Sequence, residues 1–160
     1  MIATGLLAIL ILLLLAAALQ DIYQLRIANF FAVAIVLLFP VYAAVKGPDW
    51  SLWQNLVVFA GVFALGMAAF AARWLGGGDV KLLAATALWF DIAGAGWLIG
   101  AVALAGGIVA LLFMLLRRII PESLLFRTHM VALKPRGPVP YGIGIAAGAI
   151  SAIALGHVSP

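Results

Sequence analysis

Cysteine is missing from all 160 residues, charged side chains make up only 9% of them, and just five of those are acidic. Without cysteine there is no disulfide and no thiolate metal site, and two isolated histidines, His129 and His157, make a poor ligand set. No metal and no other cofactor is therefore expected. The scarcity of charge excludes an ordinary soluble domain, because 68% of the chain is hydrophobic and the mean hydropathy is +1.28. A formal charge of +4 raises the question of nucleic acid. The basic residues, however, cluster beside apolar runs, where membrane topology accounts for them, and nucleic-acid binding is not expected.

What is present is a series of apolar runs: Ile2 to Leu19, Phe30 to Val45, Leu52 to Ala72, Val80 to about Ala95, Trp97 to Leu116 and Tyr141 to His157. They are continuous rather than alternating and rich in Ala and Leu, which points to helices and away from a β-barrel. A hydrocarbon core of about 30 Å takes roughly 20 helical residues to cross. The expected fold is therefore all-α, a polytopic membrane bundle of six transmembrane helices forming a single domain over residues 1–160. The first run lacks the basic n-region of a signal peptide and reads as a retained helix, despite the AAALQD at its end. The fourth run is the weakest, because Lys81 and Asp91 leave about 13 Å of uncharged helix between them. The pairs Gly96 with Gly100 and Gly144 with Gly148 have the spacing that lets helices approach closely.

Arg26, Arg73, Lys81, Arg117, Arg118, Arg127, Lys134 and Arg136 all fall in odd-numbered loops, and only Lys46 falls in an even one. The positive-inside tendency then places the odd loops in the cytoplasm and both termini outside. The loop from Pro121 to Pro138 mixes basic, apolar and proline residues and suits a short amphipathic piece lying on anionic lipid.

The acids are Asp21, Asp49, Asp79, Asp91 and Glu122. Asp49 and Glu122 read as solvated loop charges, and Asp91 as the outer end of the short fourth helix. Asp21 and Asp79 share the cytoplasmic side. Either alone is an interfacial residue, Asp21 as a helix terminator and Asp79 as an N-cap. Together, at similar depth, they suit a pair that activates water. In the stretch WLGGGDVKLL, Gly76, Gly77 and Gly78 remove side chains just ahead of Asp79, allowing positive backbone angles and close approach of a substrate main chain. Lys81 is two residues from Asp79 and points elsewhere on a helix, so it snorkels toward lipid phosphates. Leu82, Leu83 and Thr86 share the face of Asp79.

The GGGD of Gly76 to Asp79 resembles the GxGD motif of the type IV prepilin peptidases, which are membrane aspartic proteases. Asp21 is followed by Ile27, Ala28 and Asn29 at the spacing of that family's aspartate and Ile-Pro-Asn-like element, with Ala28 in place of the proline. VPYGIGIAAG, from Val139, is similar to the family's Pro-[Phe/Tyr]-Gly start of the last helix, which brings Tyr141 and Gly142 to the site. The resemblance implies an endopeptidase with Asp21 and Asp79 as its catalytic pair. It further implies cleavage of a prepilin leader at the cytoplasmic face of the bacterial inner membrane, with the prepilin and membrane lipid as partners. The first loop lacks the cysteine-rich insertion of larger members. That departure suggests the short, peptidase-only form of Flp or Tad-type systems, with no soluble methyltransferase or zinc-binding insertion. Two other readings stay open: a presenilin or signal-peptide-peptidase relative, although no YD motif is present, and a small ion- or proton-coupled transporter using the same acids. Carboxylates at span ends rather than mid-span favour the hydrolase. Helix ends suggest Asp79, at an N-terminus, as the resting anion, and Asp21, near a C-terminus, as the proton holder.

Overall fold

A computed structural model describes residues 1–47, 49–119, 131–133 and 137–158. Glu122, Arg127, His129, Lys134 and Arg136 lie outside these residues, and with them the expected amphipathic piece. Among the described residues the chain forms six α-helices and one short 3-10 turn and contains no strand: α1 (Ile2–Gln24), α2 (Asn29–Lys46), α3 (Leu52–Ala71), α4 (Gly77–Ala87), α5 (Ile92–Ile119), the turn Val131–Leu133 and α6 (Tyr141–Ala154). Four of them, α1, α2, α3 and α5, are long and apolar enough to cross a membrane. Their outer faces carry Leu12, Leu65 and Leu104 at 64%, 71% and 72% exposure, an arrangement that suits lipid rather than water.

The first helix is longer than its apolar run. Its buried stripe is Leu10, Leu14, Ala17, Ala18 and Asp21, so the carboxylate continues the spacing of the core-facing apolar residues. The helix runs one turn past Asp21 and ends where Leu25 takes a left-handed conformation, φ 50°, and sends its N–H back to the Asp21 carbonyl. Asp21 is therefore a buried interior residue of the last turns rather than a terminator.

Helix α4 is short. Its 11 residues reach about 16 Å, roughly half of a hydrocarbon core. Beyond it the chain turns through Leu88, Trp89 and Phe90, all three buried. The Trp89 indole N–H donates to the Ile35 carbonyl at 3.3 Å, and its ring packs edge-on against Phe39 and tilted against Tyr42. Asn55 donates from Nδ2 to the Leu88 carbonyl, supporting the backbone where the helix has stopped. Asp91 then caps α5, accepting the Gly94 N–H at 2.6 Å, so it opens the next helix rather than closing the fourth.

Helices α5 and α6 touch through glycine. A Cβ on Gly144 would lie 2.6 Å from the Gly106 Cα, and one on Gly148 would lie 2.5 Å from the backbone of Val102. The Gly144 and Gly148 pair is thus a packing seam. Gly96 and Gly100 are not part of it, since a Cβ on either meets nothing within 4 Å. Gly148→Ala should accordingly destabilise the bundle by about 1–3 kcal/mol, read as a lower thermal unfolding midpoint in detergent. Gly100→Ala should leave that midpoint in place.

The C-terminal ends of α1, α3 and α5 and the N-terminal ends of α2, α4 and α6 all meet at one end of the bundle. Arg26, Arg73, Lys81 and Arg117 belong to that end, and Lys46 closes α2 at the other.

Candidate active site

Asp21 reaches the gathered end of the bundle from α1 and Asp79 from the first turn of α4. Both line one cavity of about 260 Å³, walled by Leu25, Ile27 and the three glycines. Both also line a neighbouring chamber of about 580 Å³, walled by Phe70, Trp74, Val139 and Tyr141 among others. Asp21 is only 5% exposed, and burial without partners would be costly for a carboxylate. Its Oδ2 accepts the Gly142 N–H at 2.8 Å from the first turn of α6. Asp79 is half-buried, and its Oδ2 accepts the Gly76 N–H at 3.1 Å. Asp79 is thus the third residue of α4, folding back on the N-cap position that Gly76 occupies; it is not itself the cap.

The glycines are needed for space. A Cβ on Gly76 would lie 2.7 Å from the Asp79 Oδ2, one on Gly78 would lie 3.1 Å from the Ile27 Cβ, and one on Gly142 would lie 2.9 Å from the Asp21 Oδ2. None of the glycines at 76 to 78 takes a positive φ, contrary to the conformational role expected for them. The left-handed residues beside the site are Leu25, φ 50°, and Arg73, φ 62°, which end the approaches from α1 and α3. A non-glycine residue held there costs about 1–2 kcal/mol, so the tertiary contacts at this end must hold both turns.

Asn29 and Lys81 come together, but beside the site rather than within it. The Lys81 ammonium donates to the Asn29 Oδ1 at 2.9 Å, tying the start of α2 to α4. Asn29 is a partner within the protein that the sequence reading of Lys81 did not include. The two residues head a separate apolar groove of about 420 Å³ between α2, α3 and α4. Thr86 is a packing residue: fully buried, it donates back to the Leu82 carbonyl. Tyr141 stands at the mouth of the chamber, 38% exposed. Reasoning on the sequence missed Gln20, whose Oε1 accepts the Ala28 N–H at 2.8 Å and so fixes the link into α2 where a proline was expected. A glutamine next to a catalytic-type aspartate carries no signal that distinguishes this role from a solvated one.

Asp79 lies ahead of the apolar run of the fourth segment, in a helix outside the four long spanning ones. Burial first, and the negative charge of Asp21 second, push its carboxyl up to about 6, while the Gly76 N–H pulls the other way. The helix N-terminus, which favours the anion, is worth about 0.3–1 kcal/mol, less than one pKa unit. Burial and the neighbouring charge outweigh it, so Asp79 holds a proton more readily than an ordinary carboxyl does, despite its place at a helix N-terminus.

Apolar helices long enough to span a membrane, with two carboxylates from different helices in one cavity at their ends, suit a multi-pass membrane protein. The model of the type IV leader peptidase family matches residues 8–116, more than half of the chain. The chain belongs to that family of peptidases. The matched residues include Asp21, Asn29, the glycines 76 to 78, Asp79 and Lys81, while Tyr141 and Gly142 lie beyond them. Neither the curated proteins nor the solved structures give a match.

Proposed function

We propose that the protein is an aspartic endopeptidase of one domain that removes the leader from Flp-type prepilins at the cytoplasmic face of the bacterial inner membrane. Six membrane segments, with both termini outside, are the topology that accompanies this reading. The carrying observation is that Asp21 and Asp79, from different helices, line one cavity, each held by a backbone N–H that leaves acceptor capacity for water. Gathering of Arg26, Arg73, Lys81 and Arg117 at the same end supports its cytoplasmic placement.

Two close carboxylates do not both ionise readily, and the active form of the pair is the one that keeps a single proton. The pair titrates jointly, and we assign its proton to Asp79, whose carboxyl burial and the Asp21 charge both raise, and the role of base to Asp21. Asp21 takes a proton from water as the water oxygen bonds to the scissile carbonyl carbon, and Asp79 gives its proton to the carbonyl oxygen. The neutral diol then collapses: the proton on Asp21 passes to the amide nitrogen, the C–N bond breaks, and Asp79 recovers a proton from a diol hydroxyl. No covalent intermediate forms. Gly76, Gly77, Gly78 and Gly142 shape the site, with Tyr141 at its mouth; Asn29 and Lys81 act indirectly by fixing α2 against α4.

Co-expression with a tagged Flp-type prepilin tests this reading, with a leader-sized mobility shift as the expected result. An ion-coupled transporter would leave the prepilin intact. The pH dependence gives a separate check. Below about 6 the pair carries its single proton, and above that the proton on Asp79 is lost and with it the acid. For the free enzyme, kcat/KM should therefore fall as pH rises through about 6, approaching tenfold per pH unit. A profile that instead rose through this range would contradict Asp79 as the acid.

A further inference from the structure

Arg117 sits in the last turn of α5, next to Arg118, and lies just outside the residues that the family model matches. As half of a double-arginine helix end it reads as topological charge. Its contacts are of another kind. The guanidinium donates from Nε and Nη2 to the Ala132 carbonyl, from Nη1 to the Gly137 carbonyl and from Nη2 to the Pro138 carbonyl at 2.8 Å. Its carbon also lies 6.0 Å from the centroid of the Phe113 ring one turn earlier. One side chain thus satisfies three backbone carbonyls of the segment that leads into α6.

The position of that segment gives these contacts their weight. Pro138 and Val139 wall the larger chamber, Pro140 begins α6, and Gly142 presents its N–H to Asp21. The backbone from Gly137 to Pro140 has no helical ladder of its own, and Pro138 and Pro140 have no N–H to donate. Arg117 instead supplies donors from outside. Ala132, fully buried, clusters with Val109 and Phe113, and Leu25, the residue that ends α1 after Asp21, packs against that cluster together with Val139. A lysine would bring the charge but not the planar fork that reaches three carbonyls in fixed directions.

We infer that Arg117 is a positioning residue of the peptidase: it holds residues 137–140 in place and so sets the Gly142 N–H on Asp21. The inference rests on the Asp21 and Asp79 reading. Arg117→Ala and Arg117→Lys should each lower kcat about tenfold to a hundredfold with KM little changed, since a small displacement at the reacting centre has effects of that size. Millimolar guanidinium should restore part of the lost rate in Arg117→Ala, and methylammonium should not. Arg117→Lys combined with Gly142→Ala should be no slower than the slower single variant, because both act on one hydrogen bond. A readout free of activity uses the absence of native cysteine: with Val139→Cys as the sole thiol, alkylation should be faster when Arg117→Lys is added. Unchanged kcat, fully additive losses or unchanged alkylation would each overturn the inference. Should Arg117→Ala not accumulate in membranes, the lysine variant carries the test. Wild-type protein that leaves prepilin uncut would sink the dyad reading instead, and the alkylation arm would still report on the strap.

Discussion

Asp79→Asn should slow leader cleavage by roughly 10³-fold or more, and Asp21→Asn should do the same, because either change removes one of the two proton-transfer groups while leaving the cavity its shape. Asparagine matches aspartate in size and can still accept the Gly76 or Gly142 N–H through its amide oxygen. The fold should therefore survive. In Asp79→Asn the half-buried carboxyl that burial and Asp21 both disfavour as an anion is gone, so the thermal midpoint should not fall. Activity and stability thus separate. The check is quantitative cleavage of a tagged prepilin beside a thermal scan of the same preparations. Either variant cutting at near the wild-type rate would leave the remaining carboxylate acting alone and would break the pairing.

The second large effect comes from adding one methyl group. Gly142→Ala places a Cβ 2.9 Å from the Asp21 Oδ2, 3.0 Å from the Ile27 Cδ1 and 3.1 Å from the Asp21 Cβ. The Asp21 side chain has to yield, because the α6 backbone is held close to α5 by the seam at Gly144 and Gly148. Yielding lengthens or breaks the hydrogen bond that orients the carboxylate. The expected result is a loss of kcat of about a hundredfold, with a modest change in KM. Gly76→Ala should behave alike from the other side, since its Cβ would lie 2.7 Å from the Asp79 Oδ2. Gly77→Ala is the internal comparison: its Cβ would first meet the Phe70 ring at 3.4 Å, an ordinary contact, and the loss should be much smaller. Steady-state kinetics on the three variants order these effects, and equal losses in all three would refute the steric account.

Asp21, Asp79 and the glycines around them were legible because they break the pattern of the chain. A carboxylate at the end of an apolar run is costly, and three glycines in a row before another remove side chains where helices must meet. The inward direction of Asp21 was not legible: the run is apolar on every side, and only the structure shows the carboxylate continuing the buried stripe of Leu10, Leu14 and Ala17. What the glycines do was less legible. Backbone freedom and close packing leave the same mark in a sequence, and only the close approach of Asp79, Ile27 and Asp21 in the folded chain separates them. The pairing of Lys81 with Asn29 joins residues 52 apart, and no local rule brings them together. Lipid snorkelling was the natural expectation for an isolated lysine. Gly96 with Gly100 matched the spacing of Gly144 with Gly148, yet only the latter pair faces a neighbouring helix. Spacing identifies a face that permits contact, and the partner is decided by tertiary arrangement.

The end of α4 shows the same limit. Trp89 and Phe90 read as the continuation of an apolar helix. They instead form a buried turn whose indole N–H reaches the Ile35 carbonyl, with Asp91 drawn into capping α5. A short helix with an aromatic plug and a longer spanning helix share one composition. Arg117 was hidden for a related reason, since a basic pair at a helix end satisfies the membrane rule whether or not it binds backbone.

The central claim is that residues 21 and 79 face each other at one end of the bundle and act as a unit. The chain has no native cysteine, so Asp21→Cys with Asp79→Cys creates a clean pair of thiols. Treatment of intact membranes with a short bifunctional alkylating reagent that reacts with thiols, followed by mass measurement of the whole protein, reads their proximity directly. The account expects one reagent molecule bridging both positions, with each thiol reached from the same face. Two separate adducts, formed by reagents confined to opposite faces of the membrane, would contradict it.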